Sequence, residues 1–194
     1  MKRILALILV AVLAFAFAGC AEKSGEVKYA EAPETSMPEK GKITGDTYES
    51  TFADITFTKP EGWIFATDEE IAGIEAGDGI YYDMVCQNPD TGSQVAVMFE
   101  ETLLTIGNVA ITEDEYIKAI SEGLYNSGLE VISQEDKKIG EENYKSVTVY
   151  GEAEELTVMQ TSLARKKGNT MISVVAVAFN EDNIDDILKC FVQE

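Results

Sequence analysis

Apolar and polar residues alternate in short runs along most of the chain, and such alternation is typical of half-buried β-strands. Ile55 and Phe57 alternate with threonines, and Val95, Val97 and Phe99 share one face of a later run. The other predicted strands lie at 80–87, 129–139, 144–150, 156–164 and 171–179. The last of these runs is apolar on both faces, which is typical of a central strand that is covered on both sides.

Three segments carry the signals of helices with one apolar stripe. Thr67–Glu70 and Thr112–Glu115 are capping boxes, in which the threonine and the glutamate accept hydrogen bonds from each other's backbone amides. The first predicted helix extends to Gly77 and the second to about Gly128. The third begins near Asn180 and places four apolar residues at helical spacing: Ile184, Ile187, Leu188 and Phe191.

The connections between predicted strands are short, as at Asn88–Gly92, and connections of hairpin length favour antiparallel pairing. We therefore expect an α+β fold with a mainly antiparallel sheet of six or seven strands that is flanked by helices. Residues 47–194 are expected to form this single domain, because their number suits one hydrophobic core.

The first residues have the pattern of an export signal. A basic start, Met1–Arg3, precedes the 15 apolar residues Ile4–Ala18, which are fewer than the roughly 20 that span a bilayer as a helix. Residues 1–19 are therefore a predicted signal peptide. Residues 20–46 contain two of the four prolines and no apolar period, which indicates the lipid attachment residue followed by a flexible tether.

The end of the signal is more specific. Phe17-Ala18-Gly19-Cys20 resembles the lipobox of bacterial lipoproteins, which is usually Leu-Ala-Gly-Cys. The resemblance implies diacylglyceryl transfer to the Cys20 thiol and cleavage before this residue, so that the exported chain is lipid-anchored to the outer face of the cytoplasmic membrane. Acyl chains contribute ~0.8 kcal/mol per buried CH₂ to such binding. An ordinary secretory signal with a chance cysteine, or an uncleaved anchor, is the alternative.

Composition excludes several classes of function. The chain has no histidine, which excludes a histidine base, a His-dependent triad and a His-ligated metal. It has 15 basic and 35 acidic residues, and its formal net charge of −20 becomes −22 once the signal peptide takes away Lys2 and Arg3. So acidic a chain is unsuited to nucleic acid and is repelled by an anionic membrane surface.

Acidic residues lie in adjacent pairs, such as Glu100–Glu101 and Glu141–Glu142. Neighbouring residues of a strand point to opposite faces, so such pairs do not converge as catalysis or Ca²⁺ binding requires. Solvated surface charge is the better interpretation. We therefore predict no enzyme activity, no catalytic residue, no metal site and no cofactor. A hydrolase that uses carboxylates alone is the remaining enzymatic alternative.

Two cysteines remain once Cys20 is assigned to lipid. Cys86 shares the alternating face of its predicted strand with Tyr82 and Met84, so we expect it in the core, and Cys190 borders the stripe of the last helix. If that helix covers that face, a disulfide would close a loop of about 100 residues and contribute up to ~4–5 kcal/mol. Two buried thiols that act as small hydrophobic side chains are the alternative.

Arg165, Lys166 and Lys167 precede the predicted turn Gly168–Asn169 and form the densest basic group of the domain. Three cations at one tip of an acidic body can contact lipid headgroups or an acidic partner, at ~1 kcal/mol per cation near an anionic surface. The alternative is a solvated hairpin end whose charges block edge-to-edge strand pairing.

The segment from Ile55 to Trp63 combines a predicted strand with Pro60, Gly62 and Trp63, and it resembles the opening of PsbP-like (DcrB-like) domains. The later order of hairpin, helix, strands and final helix resembles these domains as well. The resemblance implies an antiparallel sheet sandwiched between helices. It also implies an accessory or binding protein rather than an enzyme, and it carries over no functional residue.

These features predict a lipoprotein of the cell envelope whose partners are the membrane, through Cys20, and an unidentified envelope protein or ligand. Its expected function is that of a non-catalytic interaction or accessory module. The alternative is a lipoprotein that binds a small molecule or a cation in a pocket between sheet and helix. An apolar-lined cavity would favour the pocket, and a flat exposed apolar patch would favour the interaction module.

Overall fold

The computed structural model describes residues 38–74, 76, 79–102, 111–153, 156–180 and 182–192. Within these residues the chain forms eleven strands: β1 (Lys42–Thr44), β2 (Thr47–Ser50), β3 (Ile55–Thr58), β4 (Ile64–Phe65), β5 (Ile80–Gln87), β6 (Gln94–Glu101), β7 (Glu130–Ile139), β8 (Glu142–Ala153), β9 (Leu156–Lys167), β10 (Thr170–Phe179) and β11 (Phe191–Val192). The helices there are α1 (Asp68–Ala72), α2 (Glu113–Asn126) and α3 (Ile184–Leu188). None of these helices is long and apolar enough to cross a membrane. The predicted signal peptide and Cys20 lie outside the described residues.

Seven strands form one antiparallel sheet in the order β4-β5-β6-β10-β9-β8-β7. β10 lies in the middle, between β6 and β9, as its two apolar faces predict. A six-residue loop joins β5 to β6, and two-residue turns join β7 to β8 and β9 to β10, so these neighbours in the sheet are also neighbours in the chain. The expected α+β class with a mainly antiparallel sheet is confirmed.

The two faces of this sheet have different covers. On one face, which we call the helical face, α2 packs over β8 and β9, and α1 packs over β5 and β6. The other face is covered by α3 and by a second antiparallel sheet of order β1-β2-β3-β11. The sequence predicts helices as cover and does not predict this second sheet. Of its strands only β3 is predicted, and β1, β2 and β11 have two to four residues, a length that shows hardly any hydrophobic period.

A β-bulge in β5 changes which residues face which side. The register with β6 shifts between Tyr82 and Met84, and Asp83 lies at this irregularity. Tyr82 packs with α1 on the helical face, whereas Met84 and Cys86 face the second sheet. The prediction that these three apolar residues share one face is therefore wrong, because an unbroken alternation cannot anticipate an inserted residue.

Several boundaries also differ from expectation. α1 is capped at Gly73, before the predicted stop at Gly77, and Phe191 pairs with Phe57 in the second sheet instead of extending α3. Strand pairing begins at Lys42, inside the predicted tether, because β1 pairs with β2. Both predicted capping boxes are present, and α2 has nearly the predicted bounds.

Candidate functional site

The first half of β5 forms an open edge of the seven-stranded sheet. β4 pairs with β5 only at Cys86 and Gln87, so the segment Ile80–Asp83 has β6 as its one strand neighbour in the described structure. The other side of this segment faces α1 and residues 38–41, which we call the strap. Two covering elements that are not strands leave space along this edge.

A cavity of about 310 Å³, which we call the strap pocket, lies between the strap, α1 and the edge of β5. Its walls are mainly apolar and aromatic: Pro38, Ile71, Ala72, Ile74, Ala76, Ile80, Tyr81, Tyr82 and Phe99. Lys40 of the strap and Asp83 of the bulge are its charged lining residues. An apolar lining with few polar groups, in a cavity of this size, is typical of sites for small molecules.

Asp83 fixes the strap to the sheet. The residue is only 5% exposed, and its carboxylate accepts hydrogen bonds from the Gly41 amide, at 3.0 and 3.1 Å, and from the Tyr48 hydroxyl. Burial and the neighbouring carboxylate raise the pKa of Tyr48, so its hydroxyl remains a donor. A Cβ at position 41 would lie 2.8 Å from Asp83 Oδ2 and would meet the Tyr48 ring. Only glycine therefore allows this close approach.

Lys40 joins the strap to α1. Its Nζ lies 2.5 Å from Oδ1 of Asp68, the first residue of the helix, and both side chains are largely exposed. An exposed ion pair of this kind contributes about 0–1 kcal/mol. The ammonium of Lys40 can therefore leave Asp68 for an anionic ligand group at little cost.

A half-buried carboxyl lies beside the strap pocket on the helical face. Glu100 of β6 is the direct partner of Ile80, and it accepts a hydrogen bond of 2.6 Å from the Tyr116 hydroxyl of α2. Ser173 donates in turn to the Tyr116 oxygen at 3.2 Å. Burial raises the pKa of Glu100, and the hydrogen bond from Tyr116 partly offsets that effect. The contact between α2 and the sheet is therefore sensitive to protonation.

Cys86 and Cys190 are free thiols in the structure. Cys86 is fully buried in the core between the two sheets, and Cys190 packs against the same cluster. Burial raises the pKa of the Cys86 thiol to about 12 and also raises the pKa of Cys190. The two residues thus belong to one region, as the sequence suggests, and the disulfide between them stays a prediction.

The three basic residues at the β9–β10 tip have partners inside the fold. Arg165 and Lys167 donate to the carbonyls of Ala53 and Phe52, at 2.6 and 2.8 Å. Lys166 donates from Nζ to a backbone carbonyl just before α2, at 2.9 Å. The side chain of Arg165 is only 12% exposed, so these internal contacts differ from the solvated hairpin end that the sequence analysis gives as the alternative. The contact of this basic group with headgroups or with a partner stays a prediction.

The strap pocket has hardly any signal in the sequence. Lys40 and Gly41 fall within the predicted tether, and Asp83 appears as the polar half of an alternating strand. The residues meet through contacts across about forty positions, which local patterns do not encode. In the described part of the chain, no group of three or more cysteine, aspartate or glutamate residues is placed to hold a metal ion.

No family model and no curated protein matches the chain. Among solved structures, it is similar to a protein from Bacteroides thetaiotaomicron VPI-5482, whose crystal structure was determined at 1.50 Å resolution. The TM-score is 0.42 and the identity 16%, over 77% of this chain and 48% of that chain, so the chain spans about half the length of that protein. This likeness carries no inference about function, and the candidate site rests on its own geometry.

Proposed function

We propose that the protein is an exported, lipid-anchored binding protein that holds a small, mainly apolar molecule in the strap pocket. The observation that carries this proposal is the cavity of about 310 Å³ with nine apolar or aromatic wall residues and two charged ones. This cavity matches the alternative prediction from the sequence, which is a binding pocket between sheet and helix. The interaction module stays a prediction that rests on the anchor and the tether.

The charged lining residues favour a ligand with an anionic end. The Asp83 carboxylate already accepts from Gly41 and Tyr48, whereas Lys40 is held only by an exposed pair with Asp68. A carboxylate can therefore recruit the Lys40 ammonium while an aromatic or aliphatic body contacts the apolar walls. The proposed ligand class is a small aromatic or aliphatic acid.

The position of the pocket suits a tethered protein. The strap lies inside the predicted tether, residues 20–46, so this proposal puts the pocket beside the link to the membrane. Mass spectrometry of the membrane fraction tests the anchor itself. We expect a diacylglyceryl-modified Cys20 at the N-terminus of the exported chain, and an unmodified Cys20 would contradict the anchor.

Ligand binding is tested by thermal unfolding of the full chain in detergent, followed by circular dichroism. The probes are benzoate, benzyl alcohol and benzylamine, which share one ring and differ in charge. A ligand at 100 times its Kd adds ~2.7 kcal/mol, which raises Tm by about 5–10 °C for a chain of this size. We expect benzoate to give the largest rise, and no rise with any probe would contradict this ligand class.

Two matched variants locate the binding. Ala72 lines the strap pocket and is exposed, so Ala72→Trp fills the cavity without disturbing the core. Asn126→Trp places the same bulk on an exposed position of α2, far along the chain from the pocket. The rise in Tm should disappear in Ala72→Trp and persist in Asn126→Trp. A rise that survives in both variants would place the ligand elsewhere.

A further inference from the structure

Three buried glutamines form a row across the seven-stranded sheet. Gln87 of β5 is paired with Gln94 of β6, Gln94 is paired with Val177 of β10, and Val177 is paired with Gln160 of β9. Directly paired residues share one face of a sheet. That face is the helical face, because Val149, the β8 partner of Gln160, packs under α2. The three glutamines are 7%, 2% and 3% exposed in the order of the chain.

Most of the polar atoms in this row have no partner. Oε1 of all three glutamines and Nε2 of Gln94 are buried without a hydrogen bond. Nε2 of Gln160 is satisfied, because it donates to Ser162 Oγ at 2.9 Å. Buried polar side chains in native proteins are almost always hydrogen-bonded, and burying them unpaired costs free energy. Ordered water or a bound ligand supplies the hydrogen bonds that such groups lack, and three of them aligned in one row can share one ligand.

The chemistry of the free atoms defines that partner. They are three acceptors and one donor, and the row contains no cationic residue, so an anion would meet one donor and be opposed by three acceptor oxygens. An ammonium group only donates and would leave Nε2 of Gln94 unpaired, whereas a hydroxyl both donates and accepts. The row crosses four strands, and three strand spacings amount to about 14 Å. Phe179, two residues beyond Val177 on the same face, offers an apolar neighbour.

We propose that the glutamine row binds a neutral polyhydroxyl ligand of about the size of a disaccharide. This site is separate from the strap pocket and does not depend on the proposed function. A ligand reaches the row most easily beside α1. This helix covers Val85 and Ala96, the neighbours of Gln87 and Gln94 on the same face. It has only five residues, and none of them is buried. A short helix with no buried side chain is displaced more readily than α2.

The test is calorimetric titration of the full chain with maltose, cellobiose and trehalose. A polyoxyethylene detergent is used because it carries no sugar, and spermidine serves as the probe that only donates. We expect binding of at least one disaccharide, whereas any association of spermidine with the acidic surface should be the same in Gln94→Met as in the wild type. Binding of spermidine alone would overturn the proposal. Binding of none of the probes would also overturn it and would indicate that ordered water satisfies the glutamine amides.

Near-isosteric variants assign the binding to the row. Gln94→Met should weaken disaccharide binding at least tenfold and should raise Tm without ligand, because it removes an unpaired buried amide. Gln134→Met on β7 is the matched control, since its amide already donates to Ser121 Oγ at 2.8 Å. It should bind the disaccharide like the wild type. Undiminished binding in Gln94→Met would overturn the proposal.

Discussion

The Asp83 carboxylate accepts the Gly41 amide hydrogen with both of its oxygens, at 3.0 and 3.1 Å, across 42 positions of the chain. This contact ties the end of the tether to the bulge of β5, and it closes one side of the strap pocket. The buried Tyr48 hydroxyl completes the cluster. The strap is therefore held against the sheet by a contact between distant residues, which the composition of the predicted tether does not indicate.

Gly41→Ala should destabilise the protein. The new Cβ would meet the Tyr48 ring and Asp83 Oδ2, and overpacking of this kind costs about 1–3 kcal/mol. Urea unfolding measures the loss. Gly73→Ala is the control, because a Cβ there meets its nearest atom at 3.4 Å, and we expect a change below about 0.5 kcal/mol. Equal small effects of both substitutions would contradict the close packing at Gly41.

Glu100→Gln should stabilise the protein in a manner that depends on pH. Burial raises the pKa of Glu100 above its ordinary 4.5, so its contribution to stability is fully present below that pH and is lost as pH rises. The amide introduced by the substitution cannot ionise, and its oxygen still accepts from Tyr116. We therefore expect the variant to exceed the wild type in unfolding free energy at pH 7, with the difference vanishing toward pH 4.

Urea unfolding at pH 4, 5.5 and 7 follows this difference. Glu122→Gln on the exposed side of α2 removes the same charge from a position without burial, and it controls for the change in net charge. A gain in Glu100→Gln that stays constant across the three pH values would show that desolvation of the carboxylate is not its cause.

Arg165→Met should destabilise the protein more than the loss of a surface cation does. Arg165 is 12% exposed, donates to the buried Ala53 carbonyl and lies over the Tyr144 ring, 5.4 Å from its centroid. Leaving that carbonyl unpaired costs about 1–3 kcal/mol. Lys118→Met, which removes an exposed cation of α2, should change stability by less than about 0.5 kcal/mol. Similar effects of the two variants would assign Arg165 to the surface.

The two thiols should differ in reactivity. Cys86 is fully buried with its pKa raised to about 12, so we expect it to resist alkylation in the native state at pH 8, whereas Cys190 reacts slowly. After unfolding without a reductant, we expect two titratable thiols. A count of zero would instead establish the disulfide that the sequence leaves open.

Much of the fold was predictable because its signals are local. α2 has a capping box, one apolar stripe and a glycine after its end, all within seventeen residues. Strands β5 to β10 have eight to twelve residues each, so each is a run long enough to be distinguished from a helix. β10 shows its central place by apolar residues on both faces. Each of these properties needs only the neighbours in the chain.

The short elements were not predictable for the same reason. β1, β4 and β11 have two or three residues, and a run that short is defined by its partner strand and not by its own period. The sequence pattern did not predict the bulge at Asp83, because one inserted residue reverses which face the following residues occupy. The spacing of Phe191 fits the apolar stripe of a helix as well as it fits a strand. Its pairing with Phe57 is what makes it part of a strand.

The sequence by itself determined the α+β class, the long strands, α2 and the acidic character of the protein, because periodicity, capping and charge reside in neighbouring residues or in the composition. Only the tertiary structure decided the strap pocket and the glutamine row. The pocket forms only when the strap packs against α1 and the edge of β5. The row forms only when β5, β6, β10 and β9 pair in their observed register. Both depend on which distant residues become neighbours, and that is fixed when the whole core packs.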